Sequence, residues 1–284
     1  MQIGIRLHDV NTECEASLQT LETRCAKAVE EGFRCVHLAL AKVIPGVSFS
    51  PAALTEGLAM HTRRVLSNAG LDTAVLGCYL NLATPDRKAL EQIKKTYYAN
   101  IRTAALLGAG VVGTETGTPN REYKPDRASR SDEALLYFMH SLEDVLRCAS
   151  DYGVSVAIEP VWTHIVYSPK RAAEVLRQMQ CSNLRIIFDP VNLLGIENAA
   201  SREDIFREAV DLLGEDIAVV HLKDFRRDGG QLVSCAAGTG EMDYRFLLRY
   251  LKQEKPYIQA TLEETCNSNA VFSREYIQKL YFEA

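Results

Sequence analysis

Glu159, Asp189, His221 and Glu263 each close a short apolar or β-branched run, in SVAIE, RIIFD, IAVVH and QATLE. Loop chemistry and then a helical pattern follow each of them. Two Glu, one Asp and one His around a common centre make a hard, mostly oxygen site for a divalent cation such as Mn, Co, Mg or Zn. Such residues, far apart along the chain, meet only if the fold brings the ends of their strands to one place.

Repeated strand-then-helix units do this, because a parallel sheet closed into a barrel gathers the C-terminal ends of its strands at one face. The chain alternates in this way eight times. Candidate strands lie near 2–7, 34–40, 73–80, 110–115, 154–159, 184–189, 217–222 and 257–263, as continuous apolar runs of the kind buried on both faces. Helical patterns fall at about 15–30, 51–68, 86–107, 132–151, 169–179, 202–213, 243–253 and 270–282. Ser168 before Pro169 is a helix start, with a hydroxyl to cap free amides and proline in the first turn. Asp132 and Glu133 open another with the charge sign the helix dipole favours. Glycines 32, 70, 108 and 153 follow helices, where a left-handed residue is needed before the next strand. These features predict an α/β fold, a (β/α)8 TIM barrel, forming one domain over residues 1–284. Two long connections, 116–131 and 224–242, are expected to rise from the catalytic face.

The composition narrows the function. A formal net charge of −5 argues against a nucleic acid or an anionic membrane as partner, both of which need clustered Lys and Arg. A small-molecule substrate is expected instead. The start, MQIGIRLHDV, lacks the basic and apolar regions of a signal peptide, and no stretch approaches 18 apolar residues, so a cytoplasmic location is expected. Eight cysteines, several within apolar runs and none in a CxxC pair, read as buried reduced thiols. No P-loop or GxGxxG follows a strand, so a nucleotide cofactor is not indicated.

The segments IEPVWTH, IIFDPVNLL, VVHLKDF, GTGEMDY and LEET, with IGIRLH and GTETG in the first half, resemble the xylose isomerase-like TIM barrels often grouped as sugar phosphate isomerases and epimerases. The resemblance covers essentially the whole chain. It implies that Glu159, Asp189, His221 and Glu263 are metal ligands, with Glu263 preferred over Glu264 because strand alternation turns only one of the pair inward. It also implies proton abstraction next to a carbonyl through a metal-stabilised enediolate, with Glu159 and Glu263 exchanging protons on opposite faces of a sugar. The family's members are often dimers or tetramers, so a homo-oligomer is possible.

The chain departs from the family's ketose 3-epimerases at two positions. Asn192 stands where they carry a His after the strand-six Asp, and HLKD replaces their Glu and Arg after the strand-seven His. HLKD looks more like inosose dehydratases, which leaves open a lyase that dehydrates a keto-polyol or cleaves a 3-keto glycoside. Endonuclease IV enzymes share the fold, but three-zinc DNA repair needs more histidines at strand ends than His8, His164 and His221, and a basic surface.

Other residues complete the expected site. His164, in the loop after Glu159, is a candidate general base or substrate ligand. His8, Glu115, Asn192, Lys223 and Trp162 are candidate substrate contacts, with Tyr79 and Asn81 as pocket walls and Arg6 pointing inward. Asp224 is expected to hold His221 or a loop in place. His37, taken as mid-strand, reads as a core residue, and His61 and His140 as helix-borne and structural or exposed. Arg121, Lys124, Arg127 and Arg130 would suit a substrate phosphate, although a charge run in a polar loop is usually solvated.

Overall fold

Short runs of β-branched and apolar residues form the eight parallel strands of a closed barrel in a computed structural model that describes residues 1–11 and 20–284. The barrel strands are β1 (Gln2–Arg6), β2 (Cys35–Leu38), β3 (Asp72–Gly77), β4 (Val111–Glu115), β5 (Val156–Glu159), β6 (Leu184–Phe188), β7 (Ile217–Leu222) and β10 (Gln259–Leu262). They pair in the order β1-β10-β7-β6-β5-β4-β3-β2 and close without an edge. Two further strands, β8 (Asp224–Asp228) and β9 (Gln231–Cys235), form an antiparallel hairpin outside the barrel. That hairpin occupies much of the long connection 224–242.

The helices around the barrel are α1 (Leu21–Glu30), the single turn α2 (Leu40–Val43), α3 (Glu56–Ala69), α4 (Arg87–Leu107), α5 (Asp132–Tyr152), α6 (Pro169–Met179), α7 (Arg202–Leu213), α8 (Arg245–Glu254) and α9 (Ala270–Glu283). The Ser168 hydroxyl accepts from the Arg171 amide at the start of α6, as the sequence predicts, and Ser131 caps α5 in the same way. The 15–30 helix falls partly outside the described residues, which begin again at 20. The 51–68 helix is split: Pro51–Ala53 form a 3-10 turn, and α3 starts after the Thr55 cap.

Strand alternation sets up the site. Cys35, Val75, Val111, Ala157, Ile187 and Val219 form one small apolar cluster, while their neighbours Val36, Leu76, Val112, Ile158, Ile186 and Val220 belong to the large one shared with the helices. The small cluster is thus the barrel's inner floor. Two residues further along each strand, side chains return to the same face. Those positions are His37, Gly77, Gly113, Glu159, Asp189 and His221. The layer above the floor therefore carries the candidate site, at the C-terminal ends of the strands.

Candidate metal centre and active site

Glu159 is the last residue of β5, Asp189 follows β6, His221 is the penultimate residue of β7 and Glu263 follows β10. They are 2%, 1%, 0% and 7% exposed, so their charges must be balanced locally rather than by water. His221 Nδ1 lies 3.2 Å from Glu159 Oε1 and 3.3 Å from Glu263 Oε1. Lys223 Nζ bridges Asp189 Oδ2 at 2.9 Å and Glu263 Oε2 at 3.0 Å. The other Asp189 oxygen accepts the backbone amides of Val191 and Asn192 at 2.9 and 3.1 Å, which fixes the carboxylate against the β6 end. Asn192 Nδ2 donates to Glu159 Oε1 at 2.7 Å, and the Tyr79 hydroxyl lies 3.4 Å from Glu159 Oε2.

Adjacent Glu264 is left-handed at φ 55, a conformation that a non-glycine residue adopts at a cost. That turn sends its side chain to the rim, 3.5 Å from Arg6 and 41% exposed, and leaves Glu263 facing inward. Arg6 also pairs with Asp9 at 2.8 Å and approaches Glu263 at 3.9 Å.

Electrostatics follow from this crowding. Burial alone would lower the His221 pKa, but Glu159 and Glu263 outweigh it and raise it to about 9. Burial likewise opposes charge on Lys223, and Asp189 and Glu263 more than restore it, holding the ammonium charged. Asp189 is pushed up to about 6, chiefly by burial. Burial also works against ionised Glu263, yet Lys223 and His221 hold it well below the usual carboxylate range. Three buried carboxylates thus face one lysine and recruit a proton onto the imidazole. A divalent cation fits this donor set, because it supplies the missing positive charge and takes the place of that proton. The ligand atoms of Glu159, Asp189 and His221 all lie within 4.8 Å of one another.

Above the centre is a cavity of about 460 Å³ lined by Arg6, His8, His37, Tyr79, Glu115, Glu159, Asn192, Lys223 and Glu263, with Lys42 and Phe49 at its side. Its size suits a small polar molecule. His8 sits in a turn after β1, its pKa lowered to about 4, first by burial and then by Lys42 and Arg6. Glu115 ends β4, in register with Glu159, and accepts from the Tyr123 hydroxyl at 2.8 Å. Burial raises its pKa.

His164 and Trp162 do not line this cavity. They line an adjoining depression of about 230 Å³ with Arg127 and Arg130. His164 lies behind Glu115 at 3.9 Å, and burial lowers its pKa to about 4. Trp162 carries the Arg130 guanidinium 4.2 Å above its ring and donates its backbone amide to Asn192 O at 2.7 Å. Arg121 turns away to Asp86 at 3.5 Å, apart from Arg127 and Arg130. Asn81, expected at the wall, instead ties that loop down through Thr118 O and Asn120 O, both at 2.9 Å. Asp224 accepts the amides of Phe225, Gly238, Gly240 and Met242 at 2.8 to 3.1 Å, so it anchors the loop after β7.

Sequence reading missed His37 as a site residue. Its ring stacks on His221 at 5.3 Å and on Tyr79 at 5.5 Å, inside the cavity. The two-residue period from Cys35 was the available signal. A second depression, about 520 Å³ between α7 and α8, mixes Arg207, Arg245 and Arg249 with Glu203, Asp211 and Glu254 on the outer surface. It holds no buried cluster of donors.

The closed barrel agrees with the comparisons. The xylose isomerase-like TIM barrel family matches residues 25–279, and the chain belongs to that family. No curated protein matches it in sequence. A D-tagatose 3-epimerase-like protein superposes with a TM-score of 0.75 at 17% identity, covering 100% of this chain and 97% of its own. The 3-keto-D-glucoside 4-epimerase of E. coli gives 0.74 at 14%, covering 98% and 99%. A xylose isomerase-like TIM barrel protein from Mycobacterium smegmatis, in complex with magnesium, gives 0.72 at 15%, covering 99% and 97%. Among the described residues, no helix is long and apolar enough to cross a membrane.

Proposed function

We propose that this protein is a divalent-metal-dependent isomerase or epimerase of a keto- or aldo-sugar, or of a close sugar derivative. The observation that carries this reading is the pair Glu159 and Glu263, which approach one imidazole nitrogen from the ends of β5 and β10 beneath a polar cavity. Glu159, Asp189, His221 and Glu263 would hold the cation, which when bound supplies Lewis-acid polarisation of a carbonyl.

The chain's own groups do the proton chemistry. One Glu carboxylate removes the proton from the carbon next to the carbonyl, the electron pair moves into an enediolate, and the Glu on the other face, in its protonated form, returns a proton to carbon. Lys223, held charged at the cavity wall, stabilises the negative oxygen. Asn192 orients Glu159 through its amide and cannot itself shuttle a proton. His8 and Glu115 offer hydrogen bonds to hydroxyls, whereas His164 lies outside this cavity.

A second reading, a lyase that forms the same enediolate and then expels a β-substituent, is favoured by Asn192 in place of a proton-carrying His and by Lys223 in HLKD. Mass spectrometry of products from ketoses, keto-inositols and 3-keto glycosides separates the two. An isobaric product, lost in Glu159→Gln and Glu263→Gln, supports the isomerase. Loss of water or of an aglycone supports the lyase, and turnover retained in both variants overturns the assignment of the carboxylates.

A further inference from the structure

His37 is 4% exposed, and its Nδ1 is buried with no hydrogen-bond partner. An ordinary core histidine satisfies that atom, since leaving it bare costs about 1–3 kcal/mol. The surroundings are also shaped for this ring. Tyr79 and His221 stack with it at 5.5 and 5.3 Å, at interplanar angles of 24° and 22°. The Gly77 position is open because a Cβ there would lie 2.7 Å from His37 Nε2. The space a side chain would fill is given to the imidazole.

One ligand atom each from His37, His221 and Glu263 lie within 4.8 Å of one another, as do those of Glu159, Asp189 and His221. The two triplets share His221, and Glu159 and Glu263 both meet its Nδ1. Two donors bonded at about 2.1 Å to one ion are at most about 4.2 Å apart, so the His37, His221 and Glu263 ligand atoms are within about 0.6 Å of the spacing that sharing one ion requires.

We infer that His37 is a second nitrogen ligand of the metal centre, converting a one-imidazole, three-carboxylate site into a two-imidazole site that selects Zn(II) or Co(II) over Mg(II). The inference rests on the reading of Glu159, Asp189, His221 and Glu263 as metal ligands. Its chemical basis is that imidazole suits zinc and cobalt, whereas magnesium prefers oxygen. The hard quartet alone would give no such selection.

The test is direct observation of the imidazoles. The chain has six histidines. Full-length protein labelled with ¹⁵N-histidine is stripped with chelator and titrated with Zn(II), and the ring nitrogens are followed by NMR. Two imidazoles, His221 and His37, should take metal-bound shifts at one equivalent of zinc, with His37 identified by its absence in His37→Gln. Calorimetry of His37→Gln should show Zn(II) affinity reduced by more than the roughly 10–100-fold that loss of an outer-shell partner costs, and Mg(II) affinity within about twofold of wild type.

A metal-bound shift at His221 alone overturns the role of His37 while leaving the quartet intact. Zinc binding that perturbs neither ring overturns the quartet and the inference together. A count of one metal-bound imidazole in the wild-type spectrum overturns the inference even if the variant does not fold.

Discussion

Lys223→Met removes the ammonium that bridges Asp189 and Glu263, while keeping most of the side chain's volume. Its two contacts, at 2.9 and 3.0 Å, are buried, so the change removes the ammonium counter-ion of Asp189 and one of the cations that face Glu263. Removing one partner of a buried ion pair costs about 3–5 kcal/mol. Over 284 residues the unfolding entropy is about 0.6 kcal/mol/K, which puts the melting temperature of the metal-free variant about 5–8 °C below wild type.

The pH dependence has a definite sign. Burial raises Asp189 to about 6 although Lys223 pulls it down. A carboxyl whose folded pKa is raised contributes stability present at low pH and lost as pH rises through that pKa. Without Lys223 the folded pKa rises further, so Asp189 keeps its proton at pH 6 and the deficit is smaller there than at pH 8. Saturating divalent metal should narrow the gap, because it returns positive charge to the same carboxylates. Scanning calorimetry in chelator and in metal at both pH values checks all three statements. A variant that melts within about 1 °C of wild type in chelator at pH 8, or a gap that metal leaves unchanged, would refute the role of Lys223 as internal counter-ion.

Other consequences are as specific. Metal must displace the proton that Glu159 and Glu263 hold on His221 up to about pH 9, so apparent affinity should rise about tenfold per pH unit from pH 7 and level off above 9; a flat calorimetric profile contradicts this. The same raised pKa gives metal-free protein stability that is full below about pH 6.5 and lost as pH climbs through 9. Asp224→Ala removes the acceptor of four amides, each bond to a charged group contributing about 1.5–3 kcal/mol; limited trypsin digestion should then cut at Arg226 or Arg227 first, and resistance equal to wild type would count against the anchor. Gly77→Ala places a Cβ 2.7 Å from His37 Nε2 and should cost about 1–3 kcal/mol by overpacking, read as a lowered melting temperature.

The barrel was legible because strands buried on both faces are continuous apolar runs, and because Ser168-Pro169 and Asp132-Glu133 mark their helices chemically. The quartet was legible for the same reason: each member punctuates an apolar run. The β8–β9 hairpin was not, since DFRRDGGQLVS is mostly polar and neither strand carries an alternating apolar pattern. Its signal lay in Gly229-Gly230, which adopt φ 54 and 77, as a two-residue hairpin turn requires. His37 was missed because its strand was drawn two residues too long. The strand ends at Leu38 where α2 begins at Leu40, so a residue read as mid-strand stands at the inner rim. Asn81 and Trp162 show the limit of one dimension, since whether a strand-end side chain faces a cavity or a neighbouring loop depends on how the loops fold back.

Solvent exchange tests the central claim most directly. In deuterated water, metal-loaded protein and a ketose, keto-inositol or 3-keto glycoside substrate should yield deuterium at a carbon next to the carbonyl by NMR, with the label lost in chelator and in Glu263→Gln. Turnover without deuterium at that carbon, or exchange that persists in chelator, would contradict proton abstraction at this metal-dependent centre.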